Sequence, residues 1–248
     1  MDALIIAAGF GSRLRDISES KPMTPVAGVA LLELGVRQAK AAGAKRVVVV
    51  TGHEAERLEA ALPGLSDRAG LTVVAQRVDD WSKPNGWSVM AGAAQIDGNY
   101  LLMMSDHIFS APILSGLAQQ GGADRGVTLA VDLRIDDPLI DPDDATWVER
   151  GAGGFISAIG KSIAQFDAVD CGAFLCTPEL AAAIAGAIAD GQAGSLSEGM
   201  QRLADAGRAA TWEIGGAWWL DVDDPRAHAL AEVQAPLHLP EVYRAALN

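Results

Sequence analysis

Short apolar strands alternate with helical segments through the first half of the chain, and this alternation most limits the fold that the sequence can adopt. Apolar or β-branched runs predict strands over Ala3–Ala8, Arg46–Thr51, Leu71–Ala75 and Tyr100–Met104. Segments rich in Ala, Leu, Glu and Arg predict helices between them, over Leu31–Ala42, Glu54–Leu62 and Trp87–Ile96. Such a rhythm forms a parallel sheet with right-handed crossovers and helices on both faces. We therefore expect an α/β fold, Rossmann-like, with three α/β/α layers.

The pattern changes after about Val127, where short alternating segments are separated by Gly and Asp turns. These segments predict strands over Val127–Leu133, Thr146–Glu149, Phe155–Ile159 and Val169–Leu175. Helices are predicted over Pro178–Ala189 and Leu196–Ala206, then a late strand pair over Ala210–Ile214 and Ala217–Val222, then a helix from about Pro225. The second half thus completes a mixed, mostly parallel central sheet with a hairpin. No repeat or long linker divides the chain, so we expect one domain over residues 1–248.

The charge balance limits the partners of the chain. Its net charge of −13 argues against nucleic acid or an anionic membrane surface as the main partner. No apolar stretch reaches the roughly 18 uncharged residues of a membrane span, and we predict neither a span nor a signal peptide. Cys171 and Cys176 lie in an apolar strand-like run, so we expect inert core thiols and a cytoplasmic protein. A small anionic ligand would need a local cationic pocket or a metal.

A glycine-rich loop follows the first predicted strand, in the stretch "LIIAAGFGSRLRDISESKPMTPVAG". The strand ends at Ala8, and Gly9 and Gly11 permit tight turning and close approach of a ligand to the backbone. The loop matches neither the dinucleotide fingerprint nor a Walker A loop. Arg13 and Lys21 add two cations suited to a triphosphate. On the glycines alone, an ordinary strand–helix turn with solvated cations is the equal alternative.

Aspartates follow two other predicted strands. Asp106 comes directly after an apolar run in "LLMMSDHIFS", at the strand end where open α/β sheets bind ligands and where a carboxylate can hold Mg²⁺. The alternative is a cap or turn residue, and the adjacent His107 is more often structural than catalytic. In "WWLDVDDP", Asp221 and Asp223 are two residues apart and can share a face, which is costly unless they are paired or metal-bound. Asp224 before a proline is typical of a helix N-cap.

Three further stretches carry weaker signals. Asn85 and Gly86 lie just before a predicted helix, where a base edge or a phosphate can meet the backbone. Lys161 and Asp170 fall in the second half, where an acceptor substrate would sit if the first half holds a nucleotide. Each of these is individually more often structural. The acidic run "DDPLIDPDDATWVE" predicts a solvated hairpin loop without a functional role.

The order of these motifs is similar to that of a known enzyme class. A-A-G-x-G-S-R-L, then K-P, then a strand-end Asp and a late W-L-D resemble the sugar-phosphate nucleotidyltransferases, which have a GT-A-like fold. Within that class, "KPNGWS", "MMSDHIFS", "IGKSIAQFDAVDCGAF" and "WWLDVDDP" resemble the CTP:inositol-1-phosphate cytidylyltransferases. The likeness extends roughly over residues 3–235.

The resemblance implies a Mg²⁺-dependent transfer in which a phosphate oxygen of a phospho-polyol attacks the α-phosphorus of CTP. Pyrophosphate leaves and a CDP-alcohol forms. By this likeness, residues up to about 126 hold the nucleotide and residues from about 127 hold the acceptor. The implied nucleotide contacts are Ala8, Gly9, Gly11, Ser12, Asn85 and Gly86, with Arg13 and Lys21 as catalytic cations. The implied metal ligands are Asp106 and Asp221, with Asp223 as a further candidate, and the implied acceptor contacts are Lys161 and Asp170.

Other functions remain open at this stage. A sugar-1-phosphate nucleotidylyltransferase using another NTP shares the scaffold, as does a nucleotide-binding protein without turnover. A GT-A glycosyltransferase is less favoured, because the position of its D-x-D motif reads Ser105-Asp106-His107 here. Many relatives in the inositol branch continue into a membrane-embedded phosphatidyltransferase-type domain, so we expect a separate downstream enzyme of that type to use the product. An oligomer is compatible with the sequence.

Overall fold

The structure is a computed structural model that describes residues 1–14, 17–122 and 124–244. Its strands are β1 (Asp2–Ile6), β2 (Pro25–Val26), β3 (Val29–Ala30), β4 (Arg46–Thr51), β5 (Thr72–Arg77), β6 (Tyr100–Met104), β7 (His107–Phe109), β8 (Val127–Asp132), β9 (Trp147–Arg150), β10 (Ile156–Gly160), β11 (Ala168–Cys176), β12 (Ala209–Glu213) and β13 (Trp219–Asp221). Its helices are α1 (Leu31–Ala41), α2 (Ala55–Ala69), α3 (Asn85–Ala93), α4 (Ala111–Leu117), α5 (Glu179–Ala189), α6 (Leu196–Asp205), α7 (Pro225–His238) and α8 (Pro240–Arg244).

One large sheet contains strands from both halves of the chain. In the described part it has nine strands, seven of them in the order β10-β9-β11-β6-β1-β4-β5, with β8 and β12 continuing from β11. β1 pairs in parallel with β4 and β6, and β4 pairs in parallel with β5. β11 runs antiparallel to β6, and β9 and β10 form an antiparallel hairpin. The mixed sheet that the sequence predicts is therefore confirmed.

Helices cover both faces of this sheet because the central strands are apolar on both sides. Ile5 and Val49 point into a core shared with α1, α2 and α4, whereas Leu4 and Val48 point into a core shared with α3, α5 and α6. All four side chains are fully buried. This period of two follows from the alternation of side chains along a strand, and it gives the predicted three-layer α/β/α architecture.

Two predicted features differ from the structure, and β7, the β2–β3 hairpin and α4 were not predicted. α2 runs through Pro63 to Ala69 instead of ending at Leu62, because Pro63 lies on the exposed side while Leu65 and Ala69 remain packed in the core. The predicted late strand pair is not a pair: β12 lies parallel to β8 in the large sheet, whereas β13 pairs with β7. β7 itself is a three-residue strand directly after β6 and was not predicted.

A third, smaller core lies beside the large sheet. It joins the β7–β13 pair, the β2–β3 hairpin and helices α7 and α8, through buried side chains such as Leu14, Ile108 and Leu220. The N-terminal turn of α7 is capped as predicted, since the Ala227 amide donates to the Asp224 carboxylate over 2.7 Å. This core fixes β13 against β7 and thereby carries a late segment of the chain to the end of β6.

Two other expectations can be compared with the structure. Cys171 and Cys176 are buried free thiols in β11, which confirms their assignment to the core. Among the described helices, none combines the length and the apolar character that a membrane crossing requires.

Candidate active site

The candidate site lies at the carboxyl ends of β1 and β6. In the large sheet, β1 lies between β4 on one side and β6 on the other. The direction in which the chain adds strands to the sheet therefore reverses at β1. Crevices of this kind are the usual ligand sites of open α/β sheets. Among the described residues, cavities of about 360 Å³ and about 290 Å³ open there. The residues that line both are Arg13, Lys21, Asn85, Met104, Asp106 and Asp223.

The glycine-rich loop forms one wall of the smaller cavity, which Ala8, Gly9 and Gly11 line. A Cβ atom added at Gly9 would meet no described atom within 4 Å, so the backbone there is open to a ligand. Gly11 has a φ of +59°, and a Cβ there would lie 2.5 Å from the Cβ of Lys21. Glycine at this position therefore lets the loop turn and lets Lys21 pack beneath it. The prediction for Ser12 falls on a side chain outside the part that the structure describes.

The larger cavity contains the residues that the sequence assigned to the acceptor. Lys161 and Asp170 line it, together with Asp144 and Asp221. Asp170 accepts a hydrogen bond of 2.7 Å from the Gly172 amide. Residues predicted for the nucleotide loop and residues predicted for the acceptor thus line different cavities that share one wall.

Cations and carboxylates neutralise each other where the cavities meet. The Lys21 ammonium lies 2.6 Å from Asp106 and also contacts Asp223, and its side chain is only 11% exposed. Arg13 donates to Asp144 over 2.5 Å and contacts Asp223. Burial opposes charge on Lys21, but the neighbouring carboxylates outweigh it and raise its pKa. Burial likewise opposes charge on Asp106, and Lys21 and His107 outweigh it and hold the Asp106 pKa well below its usual range.

His107, whose role the sequence left open, lies among the carboxylates. Its Nδ1 is 2.8 Å from Asp106 Oδ1 and 3.7 Å from Asp221 Oδ1. Its ring stacks against the Trp219 ring at a centroid distance of 5.9 Å and against Phe109 at 6.2 Å. The pairing of β7 with β13 sets Asp221 opposite His107, which explains how residues so far apart in sequence meet.

The protonation of this cluster follows from burial and charge together. Burial opposes the charged form of His107, but Asp221, Asp106 and Asp170 overcome it and raise its pKa to about 9. Burial raises the pKa of Asp221 to about 6, with Asp106 and Asp223 raising it and His107 and Lys21 lowering it. Burial raises the pKa of Asp170 to about 6 as well. At neutral pH the cluster therefore holds a charged imidazolium between carboxylates.

Protonated His107 is expected to stabilise the metal-free fold in a defined pH window. Its folded pKa of about 9 exceeds the ordinary 6.5, so the contribution is complete below 6.5 and is lost as pH rises through 9. The difference in free energy of unfolding between the wild type and His107→Asn should therefore shrink by up to about 3 kcal/mol across this window. Urea denaturation in EDTA at a series of pH values measures it. A difference that does not vary with pH would contradict the prediction.

Among the residues that the structure describes, two overlapping groups of side chains could hold a metal ion. They are Asp106, His107 and Asp221, and Asp144, Asp221 and Asp223, and within each group the candidate ligand atoms lie within 4.8 Å of one another. Asp221 belongs to both, and its buried Oδ1 accepts no hydrogen bond from any described residue. Carboxylate oxygens are the ligands that Mg²⁺ prefers, so the donor set fits this ion. The predicted ligands Asp106 and Asp221 are thus brought together.

The prediction of a solvated acidic loop over residues 136–149 is wrong for Asp144. Its carboxylate accepts hydrogen bonds from Arg13 and from Lys161 and faces the larger cavity. Asp144 and His107 are the clearest site residues that sequence reasoning missed or left open. Nothing in the local sequence distinguishes Asp144 from the aspartates around it, because its partners are distant in the chain.

The first two residues of α3 have different surroundings. Asn85 lines both cavities, and its side-chain carbonyl accepts a hydrogen bond of 2.9 Å from the Leu196 amide. Gly86 is buried and lines neither cavity, and its contact with a base stays a prediction. A Cβ there would lie 2.3 Å from the Gly194 carbonyl oxygen, so glycine is required by the packing of α3 against the start of α6.

Comparison with known protein families assigns the chain to a class of nucleotide-using enzymes. The family model described as "MobA-like NTP transferase domain" matches residues 3–151. The chain therefore belongs to the MobA-like NTP transferase family and is a nucleotidyltransferase, which confirms the class that the motifs indicate.

Curated relatives match this chain over most of its length. A protein of Rubrobacter xylanophilus described as "Bifunctional IPC transferase and DIPP synthase" is 34% identical over 234 residues, which are 93% of this chain and 51% of that protein. A protein of Aquifex aeolicus with the same description is 29% identical and is matched over 90% of this chain and 49% of its own length. The chain thus spans about half the length of these curated relatives.

Solved structures share the fold. The inositol-1-phosphate CTP transferase from T. maritima superposes with a TM-score of 0.80 at 21% identity, covering 94% of this chain and 96% of that one. A UDP-glucose pyrophosphorylase solved with UDP-glucose superposes with a TM-score of 0.75 at 17% identity, covering 94% and 97%. At these identities the superpositions establish the α/β nucleotidyltransferase fold.

Proposed function

We propose that the chain transfers a cytidylyl group from CTP to inositol 1-phosphate or a similar phospho-polyol, with Mg²⁺ as cofactor. The products are a CDP-alcohol and pyrophosphate. One observation carries the proposal: two cavities meet at a shared wall that contains Arg13, Lys21, Asp106 and Asp223. A group-transfer enzyme needs two substrates on either side of one charged junction, and this arrangement supplies it.

The smaller cavity suits the triphosphate. Gly9 leaves its backbone open, and Arg13 and Lys21 place two cations at the end of the glycine-rich loop. Backbone amides and fixed cations are the groups that hold phosphate oxygens. Asn85, at the start of α3, is the candidate for contacting the nucleoside end.

The larger cavity suits a phosphorylated polyol. Lys161 offers a cation for the phosphate of the acceptor, and its side chain is 59% exposed. Asp170 is a half-buried residue of β11 and offers a carboxylate that can accept hydrogen bonds from hydroxyl groups. A polyol presents several such hydroxyls, so a carboxylate on the cavity wall favours it over an alkyl phosphate.

The acidic cluster supports a metal role for its carboxylates. Asp221 and Asp106 would hold Mg²⁺, with Asp223 as a further ligand, because Asp221 Oδ1 is buried without a donor among the described residues. A bound Mg²⁺ would neutralise carboxylate and phosphate charge that Arg13 and Lys21 alone cannot balance. His107 keeps Asp106 in place through its 2.8 Å contact.

The transfer itself requires positioning and charge stabilisation rather than a protein nucleophile. An oxygen of the acceptor phosphate forms a new bond to the α-phosphorus, and the bond from that phosphorus to the bridging oxygen of pyrophosphate breaks. The attacking oxygen is already ionised at neutral pH, so no general base is needed. Lys21, at the boundary of the cavities, would balance charge that develops at the α-phosphate.

The comparisons agree with this choice of substrates. The T. maritima structure titled an inositol-1-phosphate CTP transferase supports both an inositol phosphate and CTP. The relatives' description names two activities, which supports a second enzyme acting beside this one, and we keep a phosphatidyltransferase-type enzyme as the proposed consumer of the product. We keep the cytoplasm as the proposed compartment, supported by two free buried thiols.

Pyrophosphate release tests the proposal. The four ribonucleoside triphosphates are each assayed with Mg²⁺ and with inositol 1-phosphate, glycerol phosphate, choline phosphate and glucose 1-phosphate. We expect the highest kcat/KM for CTP with inositol 1-phosphate, and loss of activity in EDTA that Mg²⁺ restores. The proposal would be rejected if no phospho-polyol gave CTP-dependent release of pyrophosphate.

Other outcomes of the same panel identify the alternatives. Highest activity with UTP or ATP and glucose 1-phosphate would indicate a sugar-1-phosphate nucleotidylyltransferase. Tight CTP binding without pyrophosphate release from any pair would indicate a nucleotide-binding protein without turnover.

A further inference from the structure

We propose that, in the ligand-free protein, the Asp144 carboxylate pairs with the phosphate-binding cations of both cavities and thereby couples the binding of the two substrates. The inference rests on the proposed function, because it takes the two ligands to be phosphates. It concerns the acidic loop between β8 and β9, which the proposed reaction does not use.

The geometry of one carboxylate carries the inference. Asp144 Oδ2 accepts from Arg13 over 2.5 Å, and Asp144 Oδ1 accepts from Lys161. Arg13 lies at the wall shared by both cavities, whereas Lys161 lines the larger cavity alone. Both oxygens of one side chain therefore engage the cations that we assign to the two substrates.

Phosphate groups compete directly with this carboxylate. Arg13 and Lys161 have side chains that are 46% and 59% exposed, so a ligand can reach both. A phosphate carries more charge than a carboxylate and presents three oxygens, so it displaces Asp144 from either cation. Both oxygens belong to one carboxylate, and the turn that carries it is closed by the Asp144 and Ala145 amides donating to the Asp141 carbonyl. Moving Asp144 away from one cation therefore moves it away from the other.

The coupling arises because only the first ligand bears the free-energy cost of displacing Asp144. The first ligand to bind must displace Asp144 from both cations, and the second finds its cation already released from Asp144. Each ligand then raises the affinity for the other by the same factor, because equilibrium coupling is reciprocal. Exposed ion pairs are weak, so we expect a factor of about fivefold.

Isothermal titration calorimetry on the wild type and Asp144→Asn tests the coupling. Inositol 1-phosphate is titrated with and without cytidine 5′-(α,β-methylene)triphosphate and Mg²⁺, and inorganic phosphate is titrated with and without tripolyphosphate. The wild type should bind the acceptor about fivefold more tightly when the nucleotide analogue is present. Asp144→Asn should bind the acceptor tightly without the analogue, so that the factor falls towards one.

Asp143→Asn is the matched control. Asp143 is exposed, lies next to Asp144 in the same loop and undergoes the same charge change, so its coupling factor should equal that of the wild type. Inorganic phosphate and tripolyphosphate separate the inference from the proposed function. Coupling between these two probes, without coupling between the CTP analogue and inositol 1-phosphate, would support the role of Asp144 and reject those substrates.

Three results would overturn the inference. They are an unchanged coupling factor in Asp144→Asn, the absence of coupling in the wild type with both probe pairs, and a loss of Mn²⁺ affinity in Asp144→Asn measured by electron paramagnetic resonance. The last result would make Asp144 a metal ligand, which its position near Asp221 and Asp223 also permits.

Discussion

Asp221→Asn is expected to lower kcat by about 10²- to 10³-fold or more while leaving the fold intact. Asp221 belongs to both candidate metal groups, and its Oδ1 is buried without a described donor. An amide removes the charge that would hold Mg²⁺ but keeps the shape of the side chain. The backbone pairing of β13 with β7 does not depend on the carboxylate, so the site should keep its geometry.

The thermal stability of the metal-free protein should rise in Asp221→Asn, although its activity falls. Burial and the nearby Asp106 and Asp223 raise the pKa of Asp221 to about 6, so its ionised form is unfavourable in the metal-free fold at pH 8. Asp221→Asn should therefore raise the melting temperature in EDTA and reduce the further rise that Mg²⁺ causes in the wild type. Scanning calorimetry with and without Mg²⁺, beside steady-state kinetics, separates these effects.

Asp224→Asn provides the matched control for this change. It lies three residues downstream and caps α7 through the Ala227 amide, a role that Asn fills equally well. We expect its kcat and melting temperature to stay close to those of the wild type. Unchanged turnover in Asp221→Asn would remove Asp221 from the metal site.

Lys21→Gln is expected to reduce kcat by about 10²- to 10³-fold, with a smaller effect on the KM for CTP. Lys21 is at the wall between the cavities, where the reacting phosphorus would lie, and its ammonium is almost fully enclosed. A charge in such a place acts mainly on the transition state, because the surrounding protein screens it less than water would. Steady-state kinetics with CTP and inositol 1-phosphate measure the loss.

The same substitution should lower stability, because Asp106 and Asp223 would lose the cation that they share. Lys45→Gln, at an exposed position, is the control for the loss of one positive charge. A fall in kcat no larger than in Lys45→Gln would exclude Lys21 from the transfer step. Lys21→Arg should recover only part of the activity, because a planar guanidinium does not reproduce the compact ammonium that contacts both Asp106 and Asp223.

Much of the architecture could be predicted because its causes are local. Apolar runs such as Arg46–Thr51 and Tyr100–Met104 are strands in the structure with the predicted bounds. Once strand and helix alternate, chain handedness and burial leave few topologies, and ligands gather where the strands end. The expected neighbours Gly9, Lys21 and Asp106 consequently lie at one edge of the sheet.

The failures share one cause, which is contact between segments that are distant in the chain. The packing of Gly86 depends on the Gly194 carbonyl, more than a hundred residues away, and its local sequence does not reveal this contact. Asp144 looked like one solvated aspartate among several, because its partners Arg13 and Lys161 lie in other segments. His107 could not be assigned because its environment requires β13.

The sequence by itself determined the layered α/β fold, the strand-end positions of the glycine-rich loop and Asp106, and the class of enzyme. The fold and the strand ends depend on the period of hydrophobic residues and on turn chemistry, which act over a few residues, whereas the class followed from the resemblance of the motifs to a known enzyme class. Only the tertiary structure decided that Asp221 faces His107, that Lys21 is shared by two carboxylates and that Asp144 bridges the cavities. Those contacts depend on the register of β7 with β13 and on the path of the loop before β9, because strand register and loop geometry are set by packing across the whole molecule.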